Sequence, residues 1–302
     1  MNTLGLGTKL KARTPYKQQL SGFVNDTNRF FKVSTGTAGD WDDKGAITIL
    51  SWVSPIYNTV IGANTTYHYC IHALNDTTND TGFYGLVTGG YSSPSITFAV
   101  GDGSGGPKSV VSAGGNGAFG WGGTSPTAGQ SNSGLTLCVM RYDGSGASAG
   151  NNQHSATITS TGISFSSGSN SATDYGTIGN NHEIYIGYTG SIGTNDLKVH
   201  KVSIWFRALS DSDILKMAGL TGDTLADSTS EQKNFHIANR FASYSDLSIT
   251  APDHEWNFNN VGSYGSSGSD RAANLSDDGT STSYNLSPST SSKPMVGGSV
   301  QY

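Results

Sequence analysis

The stretch from Leu197 to Leu220, LKVHKVSIWFRALSDSDILKMAGL, sets a strand pattern directly against a helix pattern and constrains the fold more than any other part of the chain. From Val199 to Phe206 the residues alternate, with Val202, Ile204 and Phe206 on one face and Lys201, Ser203 and Trp205 on the other. That period of two predicts a half-buried strand. After Arg207-Ala208-Leu209, Ser210 is placed to accept from the amide three residues on, and Asp213 to reach back to it. This is a variant capping box with acids at the positive end of a helix. A short helix through Met217 follows, and Gly219 suits a left-handed C-terminal cap.

The same reading extends over most of the chain. Ala46–Val53 is a strong buried-strand run. Thr66–Ala73, Gly82–Thr88 and Ser95–Val100 read as further strands, and so does Leu135–Gly144, which closes in an Asp-Gly turn. Ser155–Ser160 fits the strand after it. Residues 101–134 are Gly-rich and too long for an ordinary connection, which marks a functional or interface-forming loop. Phe235, Ala238 and Phe241 fall at helical spacing and predict a second helix over 231–243. With 41 glycines and only 13% charged residues, the chain reads as a many-stranded sandwich with long turns, since a helical protein needs more Ala, Leu, Glu and Lys.

The glycine-marked run Glu183–Tyr188, the strand at Lys198–Phe206 and the polar-capped helix resemble the closing segment of the laminin-G-like, concanavalin A-like jelly roll. The Asp-Gly turn after Leu135–Tyr142 is a second point of likeness, and together they cover about residues 47–220. The resemblance implies an all-β sandwich with one or two short helices and extended termini, and it speaks to fold more than to activity. The stretch Trp256-Asn257-Phe258 followed by Asp270–Leu275 is similar to the family's opening strand, yet here it stands near the end. Either the jelly roll is circularly permuted or these residues begin a small second unit. The expected division is an arm with the first strand over 1–45, the sandwich over 46–275 with helices near 210–218 and 231–243, and a Ser/Gly-rich extension over 276–302 containing one or two weak strands.

Charge is unevenly spread. The net charge of -5 disfavours nucleic acid as a partner, because phosphate binding needs a basic surface. Lys9, Lys11, Arg13, Lys17, Arg29 and Lys32 nevertheless crowd the first 32 residues against the single acid Asp26. Such an arm is suited to docking on an acidic protein surface. Cys70 and Cys138 both sit in apolar runs, which predicts buried free thiols. No segment reads as a secretion signal or a membrane span, so neither export nor a membrane partner is expected.

The chemistry-bearing residues give few strong signals. His68, Cys70 and His72 alternate, and on a regular strand all three would share a face and could hold a soft metal, but no fourth ligand can be named. Asp102, Asp143, Asp174 and Asp196 sit in Gly-rich turns, where members of the family sometimes bind calcium; turn-forming aspartates are the commoner case. No cofactor and no metal site is therefore assigned. Glycosidases of this fold need paired acids on one strand. Glu183 and Glu255 are the acids in strand contexts, and neither has a partner at strand spacing, so no catalytic residue is assigned and no enzyme is expected. Tyr84, Tyr91 and Trp121 are candidate sugar-stacking rings, with loop anchoring as the alternative.

The expectation from sequence is a non-enzymatic virion structural protein assembled in a host cytoplasm. Polar extensions around a laminin-G-like jelly roll resemble virion components of tailed bacteriophages. The basic arm favours a capsid decoration or cement protein, bound to a major capsid protein or another virion protein, with homo-oligomers open. The alternative is a carbohydrate-binding tail or fibre adhesin, using Tyr84, Tyr91 and Trp121 on a glycan.

Overall fold

The alternation that begins at Val199 is realised as a strand, Leu197–Trp205, and fifteen further strands surround it among the described residues. The structure is a computed structural model. It describes residues 20–24, 31–33, 38–55, 66–75, 81–89, 95–101, 106–113, 135–146, 150–159, 162–179, 184–189, 197–226, 239, 242–258, 277–281, 286–288 and 295–300. In chain order the strands are β1 Leu20–Val24, β2 Phe31–Val33, β3 Ile47–Pro55, β4 Thr66–Asn75, β5 Thr81–Gly89, β6 Ser95–Val100, β7 Lys108–Ala113 and β8 Thr136–Tyr142. They continue as β9 Gln153–Thr159, β10 Gly162–Gly168, β11 Tyr185–Ile186, β12 Tyr188–Thr189, β13 Leu197–Trp205, β14 His254–Asn257, β15 Leu286–Pro288 and β16 Met295–Val300.

They form two antiparallel sheets packed face to face, so the chain is an all-β sandwich, as expected. The first sheet runs β10-β9-β8-β3-β13-β1-β16, with β14 sharing the edge of β13 beside β1. The second runs β15-β2-β11-β4-β5-β6-β7, with β12 also on β4. Trp256 and Phe258, late in the chain, belong to the central core, Trp256 on β14 of the first sheet and Phe258 just after it. Strands β7 and β10 were missed. KSVVSA lies inside the Gly-rich 101–134 stretch, and in GISFSSG the alternating Ile163 and Phe165 stand among Gly and Ser, so in both the strand signal is short and diluted.

The helix is α1, Asp211–Ala218, and its ends follow the sequence signals. The Ser210 side chain accepts from the Asp213 amide at 3.1 Å, a contact worth about 1 kcal/mol at such a position. The Asp213 carboxylate turns to Lys216 Nζ, 3.2 Å away, instead of reaching back. Gly219 closes the helix at φ 72°, and Leu220 N–H donates to Leu215 O at 2.9 Å, which is the Schellman pattern. The second predicted helix, 231–243, lies mostly outside the described residues; its last two residues are not helical, and residues 244–248 just beyond them form turns.

Two cores result. Between the sheets lie Ile47, Ile49 and Val53 of β3, Phe83 and Val87 of β5, Ile96 and Phe98 of β6, Val202 and Ile204 of β13, and the ring of Trp41. On the outer face of the first sheet a second core gathers Leu50, Trp52, Leu137, Val139 and Trp205 beneath Ile214, Leu215 and Met217 of α1 and Ile249 of the following turns. Strand β13 is thus buried on both faces, which corrects the half-buried expectation. Trp205 points outward as predicted, but α1 and the 242–250 segment roof it over, and its indole N–H donates to Thr250 O at 2.8 Å. Both cores meet the rule that buried aromatic and aliphatic area supplies the main driving force.

Candidate functional site

The useful chemistry on the open face of the second sheet depends on a bulge in β4. Tyr69 pairs with Leu86 and Ile71 pairs with Gly85, so Cys70 is an extra residue without a partner opposite it. The extra residue shifts the alternation by one. Cys70, Ile71 and Ala73 all pack in the central core, while His72 faces outward. The metal reading of His68, Cys70 and His72 is thereby overturned: Cys70 and His72 lie on opposite faces. Among the described residues no group of three or more metal-binding side chains is gathered.

His72 stands in a ladder that crosses four strands. Lys32 on β2 pairs with Tyr185 on β11, Tyr185 with His72 on β4, and His72 with Tyr84 on β5. All four side chains are partly exposed. The His72 and Tyr84 rings are parallel within 14° at 6.3 Å, the Tyr185 ring is 6.1 Å from His72, and Lys32 Nζ lies 5.5 Å above Tyr185. Three strand spacings separate the ends of this row, about 14 Å. It therefore offers a polar-rimmed aromatic strip, with ring faces for stacking and a hydroxyl, an imidazole and an ammonium for hydrogen bonds.

The structure thus brings together two residues that sequence reasoning had assigned to different roles, Tyr84 as a sugar-stacking ring and Lys32 as an arm cation. It sets beside them His72, weighed from sequence only for a metal, and Tyr185, which was not singled out. Tyr185 alternates with the buried Ile184 and Ile186, and that alternation was the available signal. Tyr91, Trp121, Lys9, Lys11, Arg13, Lys17 and Arg29 lie outside the described residues.

The other polar clusters are engaged in holding the fold. On the outer face of the first sheet the Glu255 carboxylate accepts from Ser203 Oγ at 2.9 Å and from the Tyr244 hydroxyl, and Lys201 Nζ is 3.1 Å away. Burial first, then the Glu255 charge, push the Tyr244 hydroxyl far above its ordinary range, so it remains a donor. In the central core the His254 ring clusters with the indoles of Trp41, 4.9 Å away and 19° from parallel, and Trp256, 5.9 Å away and 8° from parallel, the two indoles being 6.2 Å apart. Its Nδ1 is 2.8 Å from Oδ2 of Asp277, whose Oδ1 accepts the Glu255 and Gly279 amides at 2.9 and 3.0 Å.

The aspartates weighed for calcium act as turn formers where they are described. Asp143 accepts from Ser145 N at 3.0 Å, and Asp174 from Gly176 N at 2.9 Å. Asp102 and Asp196, like Glu183, lie outside the described residues. Among the described residues no helix is long and apolar enough to cross a membrane.

No protein-family model and no curated protein matches the chain. Among solved structures it is similar to a protein from Bacteroides ovatus ATCC 8483 for which carbohydrate binding has been proposed, at 11% identity and a TM-score of 0.43, covering 92% of this chain and 62% of that one. It is similar also to the enzymatically active domain of tailspike protein 2 from bacteriophage CBA120, at 12% identity and a TM-score of 0.37, covering 68% of this chain and 31% of that one. The chain spans less than two thirds of the length of either protein. At these scores neither likeness carries an argument about what the chain does.

Proposed function

We propose that the chain is a non-catalytic glycan-binding module with a concanavalin A-like sandwich, and that the strip Lys32–Tyr185–His72–Tyr84 is its binding face. One observation carries this reading: register places three aromatic or heteroaromatic rings side by side on a partly exposed sheet face, with polar atoms at their rims. Sugar rings are recognised by that combination, since their C–H faces stack on aromatic rings while their hydroxyls take hydrogen bonds. The reading fits the adhesin alternative from sequence, with a tail or fibre of a particle as the setting. The capsid-cement alternative rests on the basic arm, of which Lys32 is the one described member, and Lys32 is part of the strip.

Screening the full chain against immobilised glycans tests the proposal. At least one class of oligosaccharide is expected to be retained, and Tyr84→Ala should weaken it about tenfold, as a stacked ring contributes about 1 kcal/mol or somewhat more. Thermal unfolding of the variant should match the parent within a few degrees. Retention of no glycan by the parent chain, or unchanged retention by Tyr84→Ala, refutes the reading.

A further inference from the structure

We propose that Cys70 and Cys138 form a disulfide between the two sheets when the protein meets an oxidising environment, and exist as a dithiol otherwise. They are the chain's only cysteines. Cys70 belongs to β4 of the second sheet and Cys138 to β8 of the first, and both are free and fully buried in the central core. Alternation alone does not bring them together. A regular β4 would carry Cys70 on the same face as His72, away from the core, and the bulge at Cys70 turns it inward. Cys138 faces the core by the ordinary alternation of β8, with Met140 and Tyr142.

Gly85, the partner of Ile71 next to Cys70, lies against the Met140 thioether, two residues from Cys138 on the same face of β8. A Cβ at Gly85 would come within 1.9 Å of Met140 Sδ, so the Met140 side chain occupies the room that the glycine leaves. Face-to-face sheets usually lie about 10 Å apart, whereas a disulfide needs Cα atoms roughly 5.5–6 Å apart. A bridge between sheets therefore draws β4 and β8 together locally, beside the flexible Met140 side chain that packs on Gly85. The two thiols are near enough for Cys70 to act on the ionisation of Cys138.

Closure follows from thiol–disulfide exchange with a small disulfide such as glutathione disulfide. One cysteine gives up its proton and attacks the donor, forming a mixed disulfide and releasing one small thiol. The other then gives up its proton and attacks the protein sulfur of that mixed disulfide, releasing the second thiol. In sum, two protein S–H bonds are lost and one protein S–S bond is gained, while the donor is reduced to two thiols that carry the two protons. Burial, then the neighbouring Cys70, raise the Cys138 thiol well above its ordinary value, so exchange passes through local opening and is slow. A glutathione-reduced cytoplasm keeps the pair open, and an exterior surface closes it. The closed bridge ties the segment carrying β5, β6 and β7 to the first sheet.

The full chain is incubated folded with glutathione disulfide, quenched in acid, and examined by intact mass and by thiol titration after unfolding. The expected result is loss of both thiols and of two hydrogens, with no added glutathione. A rise in the unfolding temperature on the order of 5–10 °C should accompany it and reverse with dithiothreitol. Cys138→Ala should show no such rise; if that variant folds poorly, the mass of the parent chain decides alone. Two thiols that still titrate, a persistent glutathione adduct on either cysteine, or cross-linking only between chains overturns the proposal.

Discussion

Replacement of Asp277 by alanine removes a buried joint between residues 277–281 and strand β14. The carboxylate is 1% exposed, its Oδ2 meets His254 Nδ1 at 2.8 Å, and its Oδ1 takes two backbone amides. Two neighbouring backbone bonds, Asp278 N to Glu255 O and Thr280 N to Pro252 O, hold the same crossing. Removing one member of a buried, hydrogen-bonded pair costs about 3–5 kcal/mol, because the partner left behind is desolvated without compensation. Asp277→Asn retains an acceptor for the two amides and a polar atom toward His254, so its cost should be about 1–2 kcal/mol. The expected order is therefore parent, Asn, Ala, and the alanine variant loses a large part of a typical domain's 5–15 kcal/mol. Urea unfolding at 25 °C followed by tryptophan emission reads this directly, since the indoles of Trp41 and Trp256 stack on His254. An alanine cost below about 1 kcal/mol with unchanged m, or an asparagine cost equal to the alanine cost, would refute the assignment of Asp277 as a buried clasp.

Two further predictions address the central core and pH. Gly85→Ala should destabilise by about 1 kcal/mol, because the Met140 side chain must shift to admit the new methyl; combined with Met140→Ala, the double variant should be more stable than the sum of the single effects, and simple additivity in urea unfolding would count against the packing of Met140 on Gly85. The His154 imidazole is held below its ordinary value of 6.5 by burial and then by the Arg141 charge, whose Nε lies 3.4 Å from Nδ1. The unfolded chain therefore takes up a proton near pH 6.5 that the folded chain refuses, so this contribution is full above pH 6.5 and declines as pH falls below it. Urea midpoints at pH 7.5 and 5.5 should differ less in His154→Asn than in the parent, and an identical difference in both sinks the argument.

The elements legible in the sequence were those fixed by local chemistry. Ser210 and Gly219 mark the ends of α1 because a cap is satisfied within four residues of itself. Ile47–Pro55 and Thr136–Tyr142 were legible because central strands covered on both faces need continuous apolar runs. Strand β10 was not legible, since GISFSSG at the end of a sheet gains its place from pairing with β9, and its two apolar residues, Ile163 and Phe165, are only partly buried. Strand β7 was hidden for a related reason: its side chains at Lys108 and Ser109 are exposed, and only Val110 among its first three is buried. The burial of Trp205 could not be inferred from β13, because the roof above it comes from α1 and from turns 40 residues further on.

Face assignment is where the sequence fell short most instructively, and two bulges account for it. At His200 the register with β3 slips between Val199 and Lys201, so Val199 and Val202 both enter the core despite their odd separation, and the His200 carbonyl is released to accept the Phe258 amide at 3.0 Å. At Cys70 the slip divides what period two would have kept together. A pattern of alternating residues contains no term for an inserted residue, because the insertion is decided by the partner strand and by what it must pack against. The consequence at Cys70 is chemical as well as geometric. One inserted residue abolishes a three-ligand cluster, places His72 between Tyr185 and Tyr84 on the open face, and sends the thiol inward toward Cys138. The proposed binding strip and the proposed cross-link therefore depend on the same backbone irregularity. Deleting Cys70 should restore regular pairing between β4 and β5 and disturb both at once, whereas Cys70→Ala, which keeps the inserted residue, should spare the strip.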